Sequence, residues 1–370
     1  DALPIYVQQM IGDDRQRDAA QVEALTATDD RGQDLVRLGG GKDELHMRRR
    51  LFQGLQQRVE RGRGEHVHLI DVVDFVAAVR RGEFHVIPQL THLLHAVVAR
   101  AVDLDHIRAA GLNCIRLPFW YRNLQKEDGT WLEDGFKRID WCITEAGKRG
   151  IYTILDLHGA PGGQSPGEST GRIRKPEHNG MQADFWSNEA QLQRTEAIWK
   201  RVASRYKGRS EVVALDLLNE PFGAPSRTRL HEVYDRLYKA VRSVDPKVII
   251  SLETCWSGNE NNVGYGWGWN VLPNPSEKNW TQVLYQLHNY EWDWKSAEKQ
   301  ISSTDRQIKD WQNHQHWKVP ALMGEFNCMG HEVAWKHTIS SFEKHGISWT
   351  MWSYKATHGS GDDSWGLYNM

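Results

Sequence analysis

From Leu112 onward the chain alternates short apolar runs with longer amphipathic stretches, and that rhythm limits the fold more than any other feature of the sequence. The apolar runs are Leu112 to Pro118, Tyr152 to His158, Val212 to Asn219, Val248 to Glu253, Gln282 to His288, Ala321 to Phe326 and Trp349 to Trp352. Each has the length of a strand, and most are apolar at consecutive positions, the pattern of a strand buried on both faces. The stretches Asp134 to Arg149, Glu189 to Tyr206, Thr228 to Val244, Ala297 to Trp317 and His331 to His345 repeat apolar residues at helical spacing. Strand and helix in alternation imply an α/β fold with a parallel sheet and covering helices. Seven runs are one short of a closed (β/α)8 TIM barrel, so the first strand is expected from before residue 111. His66 to Val73 and Phe84 to Leu90 are the two candidates. The chain stops at Met370 soon after the last run, so both ends of the barrel are expected to be irregular, with N-terminal helices covering the gap.

A compositional break near residue 100 divides the chain. Residues 1 to 100 contain no Trp, Asn or Cys and one Lys, and are loaded with Arg, Asp, Gln and Val, whereas the rest is rich in the first four. The reading is an atypical N-terminal segment over 1–100 and a barrel domain over 101–370. Ile70 to Arg80 and Thr91 to Arg108 carry helical patterning, while Asp13 to Glu65 is polar, weakly periodic and expected to be disordered in part. A passenger extension, a regulatory domain and the source of the first barrel strand are the alternatives for this segment.

A formal charge of −2 and a pI near 6.8 give no electrostatic reason to expect nucleic acid or an anionic membrane as partner. Cys114, Cys142, Cys255 and Cys328 are far apart and form no CxxC pair, so they read as buried thiols. With no HExxH and no paired ligand spacing, neither a metal nor a cofactor is expected. The opening Asp1-Ala2-Leu3-Pro4 has no basic stretch before an apolar core, and no run reaches the ~18 apolar residues of a membrane span. The expectation is that any signal peptide was removed or never existed.

Two of the runs end in glutamate: Leu215-Asp216-Leu217-Leu218-Asn219-Glu220-Pro221 and Pro320-Ala321-Leu322-Met323-Gly324-Glu325-Phe326-Asn327. Each sets a carboxylate where a buried parallel strand would open onto a pocket, and two facing carboxylates are the minimal equipment for cleaving a glycosidic bond. The polar residues at the strand ends are, in order, Arg116, His158, Asn219 with Glu220, His288 with Tyr290, Glu325 and Trp352. This set, carried by "GLNCIRLPFWY", "ILDLHGAPGG", "LDLLNEP", "LHNYEW", "MGEFN" and "MWSYK", resembles glycoside hydrolase family 5 over roughly residues 103–370. That family comprises retaining β-glycosidases on the (β/α)8 barrel.

The resemblance implies a general acid/base at Glu220 and a nucleophile at Glu325. It implies that Arg116 and Tyr290 attend the nucleophile, that Asn219 meets the sugar 2-hydroxyl, and that Trp352 stacks under the ring at the cleavage site. His158 and His288 would bind hydroxyls or hold the acid in place. Retention, which the resemblance implies, requires carboxyl groups about 5 to 5.5 Å apart, whereas inversion requires roughly 6.5 to 9.5 Å.

Seventeen Trp offer flat faces to sugar rings, although most indoles of a folded chain are core. Those in loops after strands carry the functional weight: Trp120 within Phe119-Trp120-Tyr121, Trp256 at the head of the Trp256 to Trp269 loop, and Trp292-Asp293-Trp294. The loop from Gly159 to Gly171 joins them. Trp120, Glu253 and Trp256 are read as subsite contacts. The glycine-rich Gly258 to Asn270 lacks the order and lysine of a P-loop and reads as sugar-binding. The implied substrate is a β-glucan polysaccharide or oligosaccharide, met outside the cell, and endo-β-1,4-glucanase (cellulase) is the first expectation. An exo-β-1,3-glucanase or β-glucosidase-type enzyme is the alternative, because "LDLHGAPGGQ" resembles that branch. A non-catalytic carbohydrate-binding barrel has no need of both glutamates, and an aldolase or isomerase would call for a Schiff-base lysine or a phosphate site.

Overall fold

A strand buried on both faces needs a hydrogen-bonded neighbour at each edge, and the chain meets that demand by closing the sheet on itself. The computed structural model describes residues 68–71, 100–165, 170, 184–254, 268–356 and 368–369. Eight parallel strands follow one another around a closed barrel: β1 (His68–Asp71), β2 (Cys114–Trp120), β3 (Tyr152–Gly159), β4 (Val212–Asp216), β5 (Ile249–Glu253), β6 (Val283–Asn289), β7 (Ala321–Phe326) and β8 (Ser348–Met351). The missing first strand comes from the first of the two candidate segments. Leu69 pairs with Cys114 of β2 on one side and with Thr350 of β8 on the other. Ile70 and Asp71 therefore begin no helix, and the remainder of Ile70 to Arg80, with Asp13 to Glu65 and Phe84 to Leu90, lies outside the described residues.

The connecting helices are α1 (Ala101–Ala109), the single turn α2 (Tyr121–Leu124), α3 (Glu133–Gly147), α4 (Glu189–Tyr206), α5 (Arg227–Arg242), α6 (Ala297–His314) and α7 (Glu332–His345). Their starts are set locally. Asn188 accepts the N–H groups of Ala190 and Gln191 ahead of α4, while Ser226 and Ser296 each cap the third residue of α5 and α6. The expected long helix from Ala297 to Trp317 breaks at His314 into a 3-10 turn, Gln315–Trp317.

Side chains alternate across each strand, and that alternation builds two cores. Outward residues such as Ile115, Leu117, Leu155, Leu157, Leu215, Ile250, Leu252, Tyr285 and Met323 pack under the helices in the main cluster. Trp199 of α4 is typical of the seam: its indole N–H donates to the Leu217 carbonyl at 3.0 Å and its ring meets Phe119 edge-on. Cys114, Ile154, Ala214, Ile249, Leu284 and Leu322 form a separate apolar cluster, one residue from each of six strands. Two residues further along the same strands come Arg116, Asp156, Asp216, Ser251, Gln286 and Gly324, so the barrel interior turns from apolar to polar toward its C-terminal end.

Two strand ends differ from the sequence expectation. β2 runs past Pro118 to Trp120 through a register shift between Phe119 and Trp120. β4 leaves the ladder at Asp216, and Leu217 and Asn219 make single backbone bonds to Ser251 and Leu157 as the chain bends toward the barrel mouth. A parallel pair, β9 (Lys355–Ala356) with β10 (Tyr368–Asn369), completes the described strands. Cys114, Cys142 and Cys328 are buried free thiols, and Cys255 lies outside the described residues. Among the described residues no helix is long and apolar enough to cross a membrane.

Candidate active site

The polar layer inside the barrel centres on Arg116, which is fully buried. Its Nε donates to Asp216 Oδ2 (2.9 Å), Nη1 to Glu325 Oε1 (2.8 Å), and Nη2 to Asn219 Oδ1 (2.7 Å) and Glu253 Oε1 (2.8 Å), with Asp156 Oδ2 3.0 Å from Nη2. Four carboxylates thus share one guanidinium. A buried charge is tolerated only when paired and hydrogen-bonded, and the period-two placement of these residues on neighbouring strands provides the partners.

Glu220 and Glu325 meet at the mouth of this layer, with one carboxylate oxygen of each within 4.8 Å of the other. Glu325, the last residue but one of β7, is fixed at both oxygens. Arg116 donates to Oε1, and the Tyr290 hydroxyl donates to Oε2 at 2.9 Å. Glu220 follows β4 with a backbone φ of 40°, the left-handed region that costs a side-chain-bearing residue about 1 to 3 kcal/mol. Its N–H donates to Glu253 Oε2 at 2.7 Å.

His288 lies between the two glutamates, its Nδ1 3.1 Å from Glu220 Oε1 and 3.5 Å from Glu325 Oε2. Gln286 fixes the tautomer. Its amide oxygen accepts the Ser251 hydroxyl (3.0 Å), so its NH2 faces Glu253 Oε1 (2.7 Å) and His288 Nε2 (3.1 Å). His288 Nε2 is therefore an acceptor and Nδ1–H the donor to Glu220. Burial drives the His288 pKa down to about 3, against the pull of the Glu325 charge, so the ring is neutral at ordinary pH.

His158 has the opposite character. Burial opposes its charge, but Asp156, whose Oδ2 lies 2.7 Å from Nδ1, outweighs burial and lifts the pKa to about 9. The imidazole stacks on Trp352 with centroids 5.3 Å apart and planes 12° from parallel. Trp352 is held through its backbone, its N–H donating to the Phe326 carbonyl and its carbonyl accepting from Asn327 Nδ2. Asn219 Nδ2 sits 3.4 Å from His158 Nε2. Trp120 reaches the same rim from β2 and lies across Gly159, where a Cβ would fall 2.1 Å from the indole. Arg122 stacks on Trp120, its guanidinium 4.4 Å from the ring centroid.

Glu253 is the correction. Expected as a subsite contact, it is fully buried beneath Glu220 and bonded to Arg116, Gln286 and the Glu220 backbone. Its place on the strand predicts the inward direction, but depth follows from barrel closure. Arg116, Asn219 and His288 are likewise fully enclosed, and face other side chains of the site. Trp256 lies outside the described residues.

Members of the site missed in the sequence include Asp156, Asp216, Gln286 and Gln164. The first three had a signal, a polar residue two or three positions before a strand-end residue inside an otherwise apolar run. Gln164 had none. It is fully buried, donating to the carbonyls of His158 (2.9 Å) and Asn219 (2.7 Å) and accepting the N–H of Ala160 (2.9 Å), which ties the β3 and β4 exits together.

Burial pushes Glu253 well above the ordinary carboxylate range, with the Asp216 charge adding to the effect, and pushes Asp216 up to about 6. One oxygen of each of these two carboxyls lies within 4.8 Å of the other. Three N–H donors converge on Glu253, whereas Asp216 Oδ1 meets no donor among the described residues. Two groups have the clustering of a metal site, Glu220 with His288 and Glu325, and Asp156 with Asp216 and Glu253. Arg116 already supplies the cation for the second, and in the first the His288 N–H points at Glu220.

The profile described as Cellulase (glycosyl hydrolase family 5) matches residues 90–358. A β-xylosidase of Phanerodontia chrysosporium is 32% identical over 194 residues, 51% of this chain and 37% of that protein. A probable glucan 1,3-β-glucosidase A of Aspergillus terreus is 34% identical over 150 residues, 40% of this chain and 34% of that protein. The chain thus spans about a third to a half of the length of such curated relatives. Among solved structures, endoglucanase Cel5A of Thermotoga maritima superposes with a TM-score of 0.56 at 21% identity, over 82% of this chain and 92% of that one. Endo-glycoceramidase II of Rhodococcus sp. does so with 0.60 at 18% identity, over 74% and 71%. These likenesses are of fold. The family match takes in every strand from β2 to β8 and the glutamates at their ends, and the chain belongs to glycosyl hydrolase family 5, the cellulase family.

Proposed function

We propose that this protein is a retaining β-glucan hydrolase, an endo-β-1,4-glucanase, with Glu220 as acid/base and Glu325 as nucleophile. The observation that carries the reading is the separation of the two carboxylates, whose facing oxygens lie within 4.8 Å. Oxygens that close favour the nearer spacing of a retaining pair, which suits direct attack, over the wider spacing that seats a water between the carboxyls. In the first step a Glu325 oxygen bonds to the anomeric carbon as the glycosidic C–O bond breaks, and Glu220 gives its proton to the departing oxygen. In the second, Glu220 takes a proton from water, whose oxygen displaces Glu325 from the sugar. The His288 N–H occupies Glu220 Oε1, so the transferred proton is carried on Oε2.

Glu220 protonates the leaving group, so the leaving group departs on the Glu220 side of the mouth. In the loop after β6, Tyr290, Trp292 and Trp294 form a row with centroids 5.8 and 6.3 Å apart. Trp292 and Trp294 are 57% and 37% exposed, and such a row suits a substrate that continues beyond the cleaved bond. The exo-β-1,3 reading is favoured by the names of several relatives, probable glucan 1,3-β-glucosidases.

Product analysis on carboxymethylcellulose, barley β-glucan, laminarin and mannan separates the readings. A spread of oligosaccharides from the β-1,4-linked polymers is expected, with Glu325→Gln lowering turnover by roughly 10³-fold or more. Glucose alone from laminarin would move the assignment to the exo-β-1,3 enzyme, and no cleavage of any polymer would end the hydrolase reading.

A further inference from the structure

Among the buried groups without a part in bond cleavage, Glu253 is joined to more of the machinery than any other. Its Oε2 accepts the backbone N–H of Glu220, and its Oε1 accepts from Arg116, which also holds Glu325, and from Gln286, which also holds His288. The end of β5 is itself anchored, because the Tyr234 hydroxyl of α5 donates to the Glu253 carbonyl at 2.7 Å. The residue it grips is the one with the unfavourable backbone, Glu220 at φ 40°. A left-handed glutamate persists only where its surroundings over-determine it, and a short N–H to carboxylate bond is the strongest restraint available to a backbone amide.

We propose that Glu253 is a positioning residue for the acid/base step, holding the Glu220 backbone in its left-handed turn so that the Glu220 carboxyl meets the glycosidic oxygen. The inference rests on the assignment of Glu220 as acid/base. It assigns no contact with substrate to Glu253. Glutamine cannot replace it, because both ends of the carboxylate face donors and one end of an amide is a donor.

A loss of acid/base positioning differs from general damage in its dependence on the leaving group. With 2,4-dinitrophenyl β-cellobioside, whose leaving group departs without a proton, kcat/KM of Glu253→Gln is expected to fall less than about tenfold. With phenyl β-cellobioside, which needs the proton, the fall is expected to be on the order of 10² or more. Glu253→Asp keeps a carboxyl beside Arg116 but withdraws it from the Glu220 N–H, and the same split is expected. In the unmodified protein the Glu220 amide proton should be shifted downfield and protected from exchange. Equal losses on both glycosides, or a Glu220 amide exchanging as fast as an open loop, overturn the proposal. Glu220→Ala is the control. A flat leaving-group response there, with no rescue by azide, overturns the acid/base reading and this inference with it, whereas a steep response there and a flat one at Glu253→Gln overturns this inference alone.

Discussion

His158 and His288 lie in one polar layer, yet their surroundings set them on opposite sides of neutrality. His288 is fully buried and stays neutral, the Arg116 charge adding to the effect of burial, while His158 rests on Asp156 and takes a proton. The second has a consequence for stability. The folded pKa of about 9 lies above the ordinary 6.5, so the stabilisation is fully present below pH 6.5 and lost as pH rises through 9. It amounts to roughly 3 kcal/mol at most. The melting temperature of the wild type is expected to fall between pH 6.5 and 9, and that of His158→Asn to change much less; parallel curves would refute the assignment. Asp216 does not confuse the measurement. Its pKa is raised from 3.8 to about 6, so its contribution is lost below the window, between pH 4 and 6.

At the scale of strands, the spacing between β6 and β7 decides whether the site assembles. A Cβ on Gly324 would fall 2.3 Å from the Gln286 side-chain amide, the group that serves both Glu253 and His288. Gly324→Ala is expected to destabilise the fold by about 1 to 3 kcal/mol. It should also lower kcat more than it raises KM, as thermal melts and steady-state kinetics will show. Much of this level was legible in the sequence. Strands β3, β6 and β7 and helix α4 fall within a residue or so of the expected positions, because buried runs and helical periodicity are local signals. The exits of β2 and β4 were not legible, since a register shift and a bend are settled by neighbouring strands. Glu253 was misread for the same reason: alternation gives direction, but the depth at which a carboxylate sits depends on seven other strands. Gln164 gave no local cue at all, being fixed by carbonyls of two different strand exits.

On the scale of the whole molecule, the compositional break at residue 100 does not coincide with the edge of the barrel. We propose that residues 1–60 are dispensable and that the barrel begins with β1. Removing residues 1–60 is expected to leave activity within about twofold and a single cooperative melt, while removal through residue 75 takes β1 and exposes the edges of β2 and β8. Activity and circular dichroism melts of both truncations provide the check. The position of β1 also governs when the barrel can exist during synthesis. His68 pairs with Trp349, about 280 residues later, and at ~5 to 20 residues per second a ribosome takes on the order of 15 to 60 s to make that stretch. Throughout that interval the first strand has emerged and its second neighbour has not, so the nascent chain carries an open sheet edge that only the last strand can seal.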